Sequence, residues 1–220
     1  LASKWSALYG IIPLAFIYLH EIWPTLISLK SYIINLLRIF RLLLIALFVY
    51  VLTFAPFILA GHSWKQWVEL HRQMWYYHTH LVATHSYQST PREWIFAARP
   101  VWYHVNYLGD NVSHIYAQGN PLVLWLGLVA FILLLPQILI FPTSLFFLLY
   151  IIFTLPWLFS PRIMFFYHYL PSATFLSVIL ATWTSTLSRR SLIGLLLLCL
   201  VGLLLVSPML YGFAMPTLFW

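Results

Sequence analysis

The stretch "IFRLLLIALFVYVLTFAPFILA", residues 39–60, carries a single charge, Arg41. A segment that crosses the roughly 30 Å hydrocarbon layer must satisfy its own backbone N–H and C=O groups, which takes a helix of about 20 mostly apolar residues. Residues 39–60 meet that requirement, and working outward from them similar stretches are found near residues 5–23, 122–141, 144–159 and 192–213. A sixth, more polar candidate covers 163–186. With 63% hydrophobic and 7% charged residues and a mean hydropathy of +0.90, the 220-residue chain is excluded from the soluble globular class. The expectation is an all-α polytopic membrane protein of about six transmembrane helices with one large outer loop.

The formal charge of +7 does not indicate nucleic-acid binding, because no long basic run is present and the positive residues cluster near the ends of the apolar stretches. The lone Cys199 lies inside an apolar run and is read as a small buried thiol. The chain opens on Leu1, and an apolar stretch follows at once without the charged region and cleavage site of a signal peptide. This start is read as that of a fragment.

Positive charges in short loops set orientation. Lys30, Arg38 and Arg41 flank the second stretch, and Arg189 and Arg190 precede the last. An even number of crossings lies between the two groups, so both fit the cytoplasmic side. That assignment divides the chain into residues 1–60, two spans joined by an inner link; residues 61–121, an outer loop; and residues 122–220, a region of four spans. The link at 24–38 is read as an amphipathic helix on the inner surface, with Lys30 and Arg38 reaching toward headgroups.

The outer loop holds a dozen aromatic residues and seven of the nine histidines. Such a segment is packed rather than merely solvated. Residues 64–80 fit a helix lying along the membrane interface, its Trp and Tyr residues at headgroup level. His78, His80 and His85 have side chains suited to zinc, but their spacing lacks the tight pairing of a structural site, and no metal is assigned. Aromatic faces that stack on sugar rings, with imidazole and indole donors for hydroxyls, suit the loop better. Glu69, Glu93 and Asp110 are its carboxylates, and their spacing singles out none as a general base. Asn111-Val112-Ser113 matches the N-glycosylation sequon.

Between two apolar stretches stands "SPRIMFFYHYLPS", residues 160–172. Ser160 is a suitable N-cap and Pro161 suits the first helical position, so a helix is expected to begin there and run through Tyr169. At helical spacing Arg162, Phe165, Phe166 and Tyr169 would share a face, with His168 beside it. A cation at the bilayer rim above aromatic groups suits a phosphate whose lipid tail stays in the membrane. The alternative is that Arg162 snorkels and the tyrosines anchor the interface.

Five stretches taken together, "ASKWSALYG" (2–10), "HRQMWYYHTHLVATHSYQS" (71–89), "ARPVWYH" (98–104), "GNPLVLWLG" (119–127) and "SPRIMFFYHYLPS", resemble the C-terminal half of the protein O-mannosyltransferases, membrane glycosyltransferases of the GT-C class. The resemblance implies an inverting transfer of mannose from polyprenyl-phosphate mannose, with no certain cofactor, to Ser or Thr hydroxyls of acceptor proteins, among membrane lipids and without nucleic acid. It implies that Arg162, His168 and Tyr169 lie at the carrier phosphate and that His78, His85, Tyr87 and Trp102 shape the substrate path. It places the family's catalytic Asp-Glu pair in a preceding half, so no catalytic residue is assigned. The sequence departs from the family where His85-Ser86-Tyr87 replaces His-Pro-Tyr and where the tryptophan-rich segment is reduced to Pro91-Arg92-Glu93-Trp94. The loop runs from "HSYQS" to "RPVWYH" without the large insertion of eukaryotic members, which points to a bacterial plasma membrane, the endoplasmic reticulum being the alternative. Another lipid-carrier-dependent glycosyltransferase stays open because the donor sugar is not written in these residues. A transporter component is disfavoured, since no repeat and hardly any mid-span ionisable group is seen.

Overall fold

The computed structural model describes residues 5–25 and 28–219, so the first residues of the ASKWSALYG motif, and Leu1 with its expected reading, lie outside the described residues. The chain forms two compact units, one ending at Leu81 and one beginning at Val82.

In the first unit a 3₁₀ stretch, Trp5–Gly10, leads into α1, Ile11–Ile22. Ser28 then caps α2, Leu29–Leu52, its Oγ accepting the Ser31 N–H at 3.2 Å. This helix is continuous, so Lys30 and Arg38, expected on the inner link, stand on the same helix as the apolar run. Asn35, 4% exposed, does not interrupt it. Its Oδ1 accepts the Tyr18 hydroxyl of α1 at 3.0 Å and Arg38 Nη1 at 3.3 Å, so the one amide in the run is satisfied locally. Most of the large apolar side chains of α2 are exposed, as expected of a helix whose natural surroundings are lipid. A short α3, Ala55–Leu59, continues it.

Helix α4, Trp64–His80, coincides with the helix expected at 64–80. Its start is fixed by a capping box, in which Ser63 N–H donates to Gln66 Oε1 at 2.7 Å and Gln66 N–H donates to Ser63 Oγ at 3.3 Å. The helix is tied back to α2 by a relay: His71 Nδ1 lies 2.8 Å from the Trp67 carbonyl and its Nε2 lies 2.6 Å from the Tyr50 hydroxyl.

The second unit contains a sheet, so the all-α expectation is corrected. After α5, Pro91–Ile95, strands β1, Val101–Leu108, and β2, Asn111–Ala117, pair antiparallel, and β3, Met215–Pro216, adds to the far edge of β2. Leu108 pairs with Asn111 across the two-residue Gly109-Asp110 turn, where Gly109 has φ +62°. Valine and aromatic residues ahead of a Gly-Asp turn favour a hairpin over an irregular aromatic loop.

The remaining helices are α6, Pro121–Leu133; α7, Thr143–Leu158; α8, Leu170–Thr184; and α9, Arg189–Tyr211. Among the described residues two segments, Leu29–Leu59 and Arg189–Tyr211, are long and apolar enough to cross a membrane. Helices α6, α7 and α8 are only roughly 20–24 Å long at 1.5 Å per residue. Proline punctuates them: Pro136 lies in the 3₁₀ turn after α6, Pro142 precedes α7, and Pro171 sits in the first turn of α8. The core gathers where α6 and α7 pack on α8, around Phe147, Tyr150, Leu176 and Ile179. A Cβ on Gly127 would come within 2.7 Å of Leu176 Cγ, so glycine is what permits this approach of α6 to α8.

Candidate functional site

Residues 160–165 are not helical, and a 3₁₀ turn, Phe166–Tyr169, precedes α8. The expectation of a helix starting at Ser160-Pro161, with Arg162, Phe165, Phe166 and Tyr169 on one face, is therefore corrected. Two interactions account for it. The Ser89 N–H donates to the Met164 carbonyl at 2.9 Å, so the segment spends a main-chain acceptor on the loop instead of on a helix. The Phe165 N–H lies 3.1 Å from His168 Nδ1 while the His168 N–H donates to the Phe165 carbonyl at 2.9 Å, which closes the 3₁₀ turn on itself.

The juncture of loop and turn encloses a cavity of about 420 Å³, walled by Ala83, Gln88, Ser89, Thr90, Glu93 and Arg99 on one side and by Pro161, Arg162, Ile163 and Met164 on the other. Its loop wall is stiffened from below. Trp94, fully buried, donates its indole N–H to Ser89 Oγ at 2.8 Å. Thr90 and Glu93 form a capping box at α5, with Glu93 Oε2 accepting the Thr90 N–H at 2.7 Å and the Thr90 hydroxyl at 2.9 Å. Glu93 Oε1 meets Arg99 Nε at 3.1 Å, and Arg99 Nη1 donates to the Gln88 carbonyl at 3.4 Å. The Thr90 backbone N–H, helped by the Thr90 hydroxyl and Arg99, holds the Glu93 carboxyl below the usual glutamate range. At neutral pH Glu93 is thus an ionised partner and a poor proton acceptor.

The expected site residues divide into three sets. Arg162 is half-buried on the cavity wall, its Nε 3.4 Å from the Ile163 carbonyl. His168 and Tyr169 are not on that wall. His168 is 4% exposed, packed between Trp157 at 4.5 Å and Tyr167 at 4.5 Å, ring centre to ring centre. Tyr169 is 1% exposed, and its hydroxyl lies 3.1 Å from that of Tyr150 on α7. The 3₁₀ turn rotates both side chains into the core.

His85, Tyr87 and Trp102 form a chain of rings beside the turn. The His85 ring meets Phe165 edge-on at 5.3 Å, and Tyr87 lies 5.9 Å from His85 and 6.0 Å from Trp102. Trp102 donates its indole N–H to His114 Nδ1 at 3.1 Å. Ser86 leaves the local bend intact: the Gln88 N–H donates to the His85 carbonyl at 3.0 Å and the Tyr87 N–H donates to His85 Nδ1 at 3.1 Å. His78 belongs to α4 in the first unit, with its ring 5.9 Å from Tyr77. Of the other carboxylates, Glu69 pairs with Arg72 at 3.3 Å on α4, and Asp110 occupies the hairpin turn.

Residues 63–141 match the family described as the C-terminal four TMM region of protein-O-mannosyltransferase. Over that region the chain is similar to the protein O-mannosyltransferase family. It is also similar to a chain in the solved structure of the S. cerevisiae protein O-mannosyltransferase Pmt1-Pmt2 complex bound to the sugar donor, at 25% identity and a TM-score of 0.54. That similarity covers 69% of this chain and 25% of the yeast chain, so the chain spans about a quarter of its relative's length. No curated protein sequence matches.

Within this matched region, sequence reasoning missed Arg99 and the tie between Glu93 and Thr90. Both were visible as local signals. "TPRE" is a Thr-x-x-Glu capping box with proline in its first turn. The partnership of Glu93 with Arg99 depends on a chain reversal at Ala97, which has φ +51°, a conformation a non-glycine residue rarely advertises in its sequence.

Proposed function

We propose that the chain forms the donor-binding part of a membrane glycosyltransferase that moves mannose, with inversion, from polyprenyl-phosphate mannose to Ser or Thr hydroxyls of proteins. The observation that carries this reading is the cavity in which Arg162 and Arg99 converge from two distant parts of the sequence. Guanidinium groups present N–H donors in a planar fork matched to phosphate oxygens, and they stay charged when half-buried. In this reading Arg162 and Arg99 hold the carrier phosphate, the lipid tail follows the apolar helices, and the His85, Tyr87 and Trp102 rings border the sugar. Glu93 is bound up in its capping box and ion pair, so the general base comes from outside these residues.

Both arms of the cavity lie on the non-cytoplasmic side in this reading, because Arg189 and Arg190 at the start of α9 and Lys30, Arg38 and Arg41 on α2 favour the cytoplasm. The short connection between "HSYQS" and "RPVWYH" supports a bacterial plasma membrane.

The test uses membranes that contain the full-length gene product, labelled polyprenyl-phosphate mannose and a Ser/Thr peptide. Arg162→Glu is expected to raise the donor KM by about tenfold or more, the scale of one lost charge-assisted hydrogen bond, and to leave the peptide KM unchanged. An equal effect on both substrates argues against the phosphate role.

A further inference from the structure

A cavity that only had to grip an anion would be better without Glu93. The charged residues on its wall are Arg99, Arg162 and Glu93, so two positive groups and one negative group leave a single unit of positive charge. The carboxylate is fixed there: Oε2 is held by the Thr90 N–H and hydroxyl, and Oε1 by Arg99. Most of its hydrogen-bonding capacity is already engaged, which prevents it from swinging away when an anion arrives.

The charge of the lipid changes during the proposed reaction. In polyprenyl-phosphate mannose the phosphorus carries two ester links and one negative charge. Transfer breaks the bond between the sugar's anomeric carbon and the phosphate oxygen, and the electron pair stays on that oxygen. The anomeric carbon bonds to the acceptor hydroxyl oxygen, whose proton goes to the general base. The leaving lipid is then a phosphate monoester with a charge of about −1.5 to −2 at neutral pH.

Resting on the proposed function, we infer that Glu93 is a specificity-determining residue that holds the cavity at one net positive charge, so that it matches a singly charged lipid phosphodiester and disfavours the doubly charged monoester product and lipid diphosphates. Donor binding and product release are thereby balanced by one carboxylate. Any ligand feels Glu93 in proportion to its own charge, so the monoester is penalised about twice as much as the phosphodiester.

Glu93→Gln isolates the effect, because glutamine at this position keeps the capping box and the side-chain size and loses only the charge. The purified full-length protein in lipid nanodiscs is titrated with polyprenyl-phosphate mannose, polyprenyl phosphate and polyprenyl diphosphate. In Glu93→Gln the ratio of donor to monoester affinity is expected to shift toward the monoester by about tenfold, with the diphosphate moving the same way. Arg99→Gln, which removes a positive charge, shifts the ratio in the opposite direction. If either variant changes all three affinities by the same factor, the inference is overturned while the phosphate reading stands. If Arg162→Glu binds the donor as tightly as the unaltered protein does, the phosphate reading falls and the inference falls with it.

Discussion

Ser89 donates its backbone N–H to the Met164 carbonyl at 2.9 Å, and this bond joins the loop after Val82 to the segment before α8. The same residue accepts the indole N–H of Trp94 on its hydroxyl at 2.8 Å. One serine therefore ties the cavity wall both to its opposite side and to the core beneath it.

Ser89→Ala tests this tie. The backbone bond survives, but Trp94 Nε1, fully buried, loses its acceptor. An unpaired buried donor costs about 1–3 kcal/mol. The expected outcome is a lower Tm in detergent together with a rise in donor KM, since the wall that carries Arg99 loosens. An unchanged Tm would show that the indole finds another acceptor.

The ionised form of Glu93 makes a second prediction. Its carboxyl is held below the ordinary 4.5, first by the Thr90 N–H. A depressed carboxyl pKa contributes stability that is fully present above the ordinary value and is lost as pH falls through the depressed one. Amide exchange at Thr90 and Trp94 should thus stay slow at mildly acidic pH and accelerate only below the usual glutamate range. In Glu93→Gln that acid-dependent step should disappear, and its persistence would assign it to another group.

Gly202 on α9 faces the start of α6. A Cβ there would lie 2.6 Å from Asn120 Oδ1 and 2.9 Å from Leu122 Cδ1. Asn120 caps α6 through the Leu122 N–H at 3.1 Å and donates to the Cys199 carbonyl at 2.8 Å. Gly202→Ala is expected to destabilise by about 1–3 kcal/mol through overpacking, and Asn120→Ala by about 1 kcal/mol through loss of the cap. Thermal unfolding of the single and double variants should show non-additive losses, because the two residues share one contact. Additive losses would mean that α6 and α9 are held apart by other side chains.

Local signals in the sequence were legible because they act over a few residues. The apolar run at 39–60 announces α2 through composition alone, and Ser63 with Gln66 starts α4 where the spacing predicts it. The hairpin was equally local, yet the aromatic richness of "VWYHVNYL" drew attention away from the Gly109-Asp110 turn. The motif around Arg162 identified the right neighbourhood, but its helical reading failed because a main-chain acceptor at Met164 is used by a residue far away in sequence.

What the sequence by itself determined is therefore the membrane character, the motifs that resemble a known family and those helices whose ends are set by nearby caps and prolines. Only the tertiary structure decided that Arg99 joins Arg162 at one cavity while His168 and Tyr169 turn into the core. The reason is physical: hydrophobicity and capping are properties of neighbours along the chain. Whether a half-buried guanidinium faces an open cavity or an imidazole faces a tryptophan depends on which distant backbone groups pair, and that pairing is settled only when the elements pack.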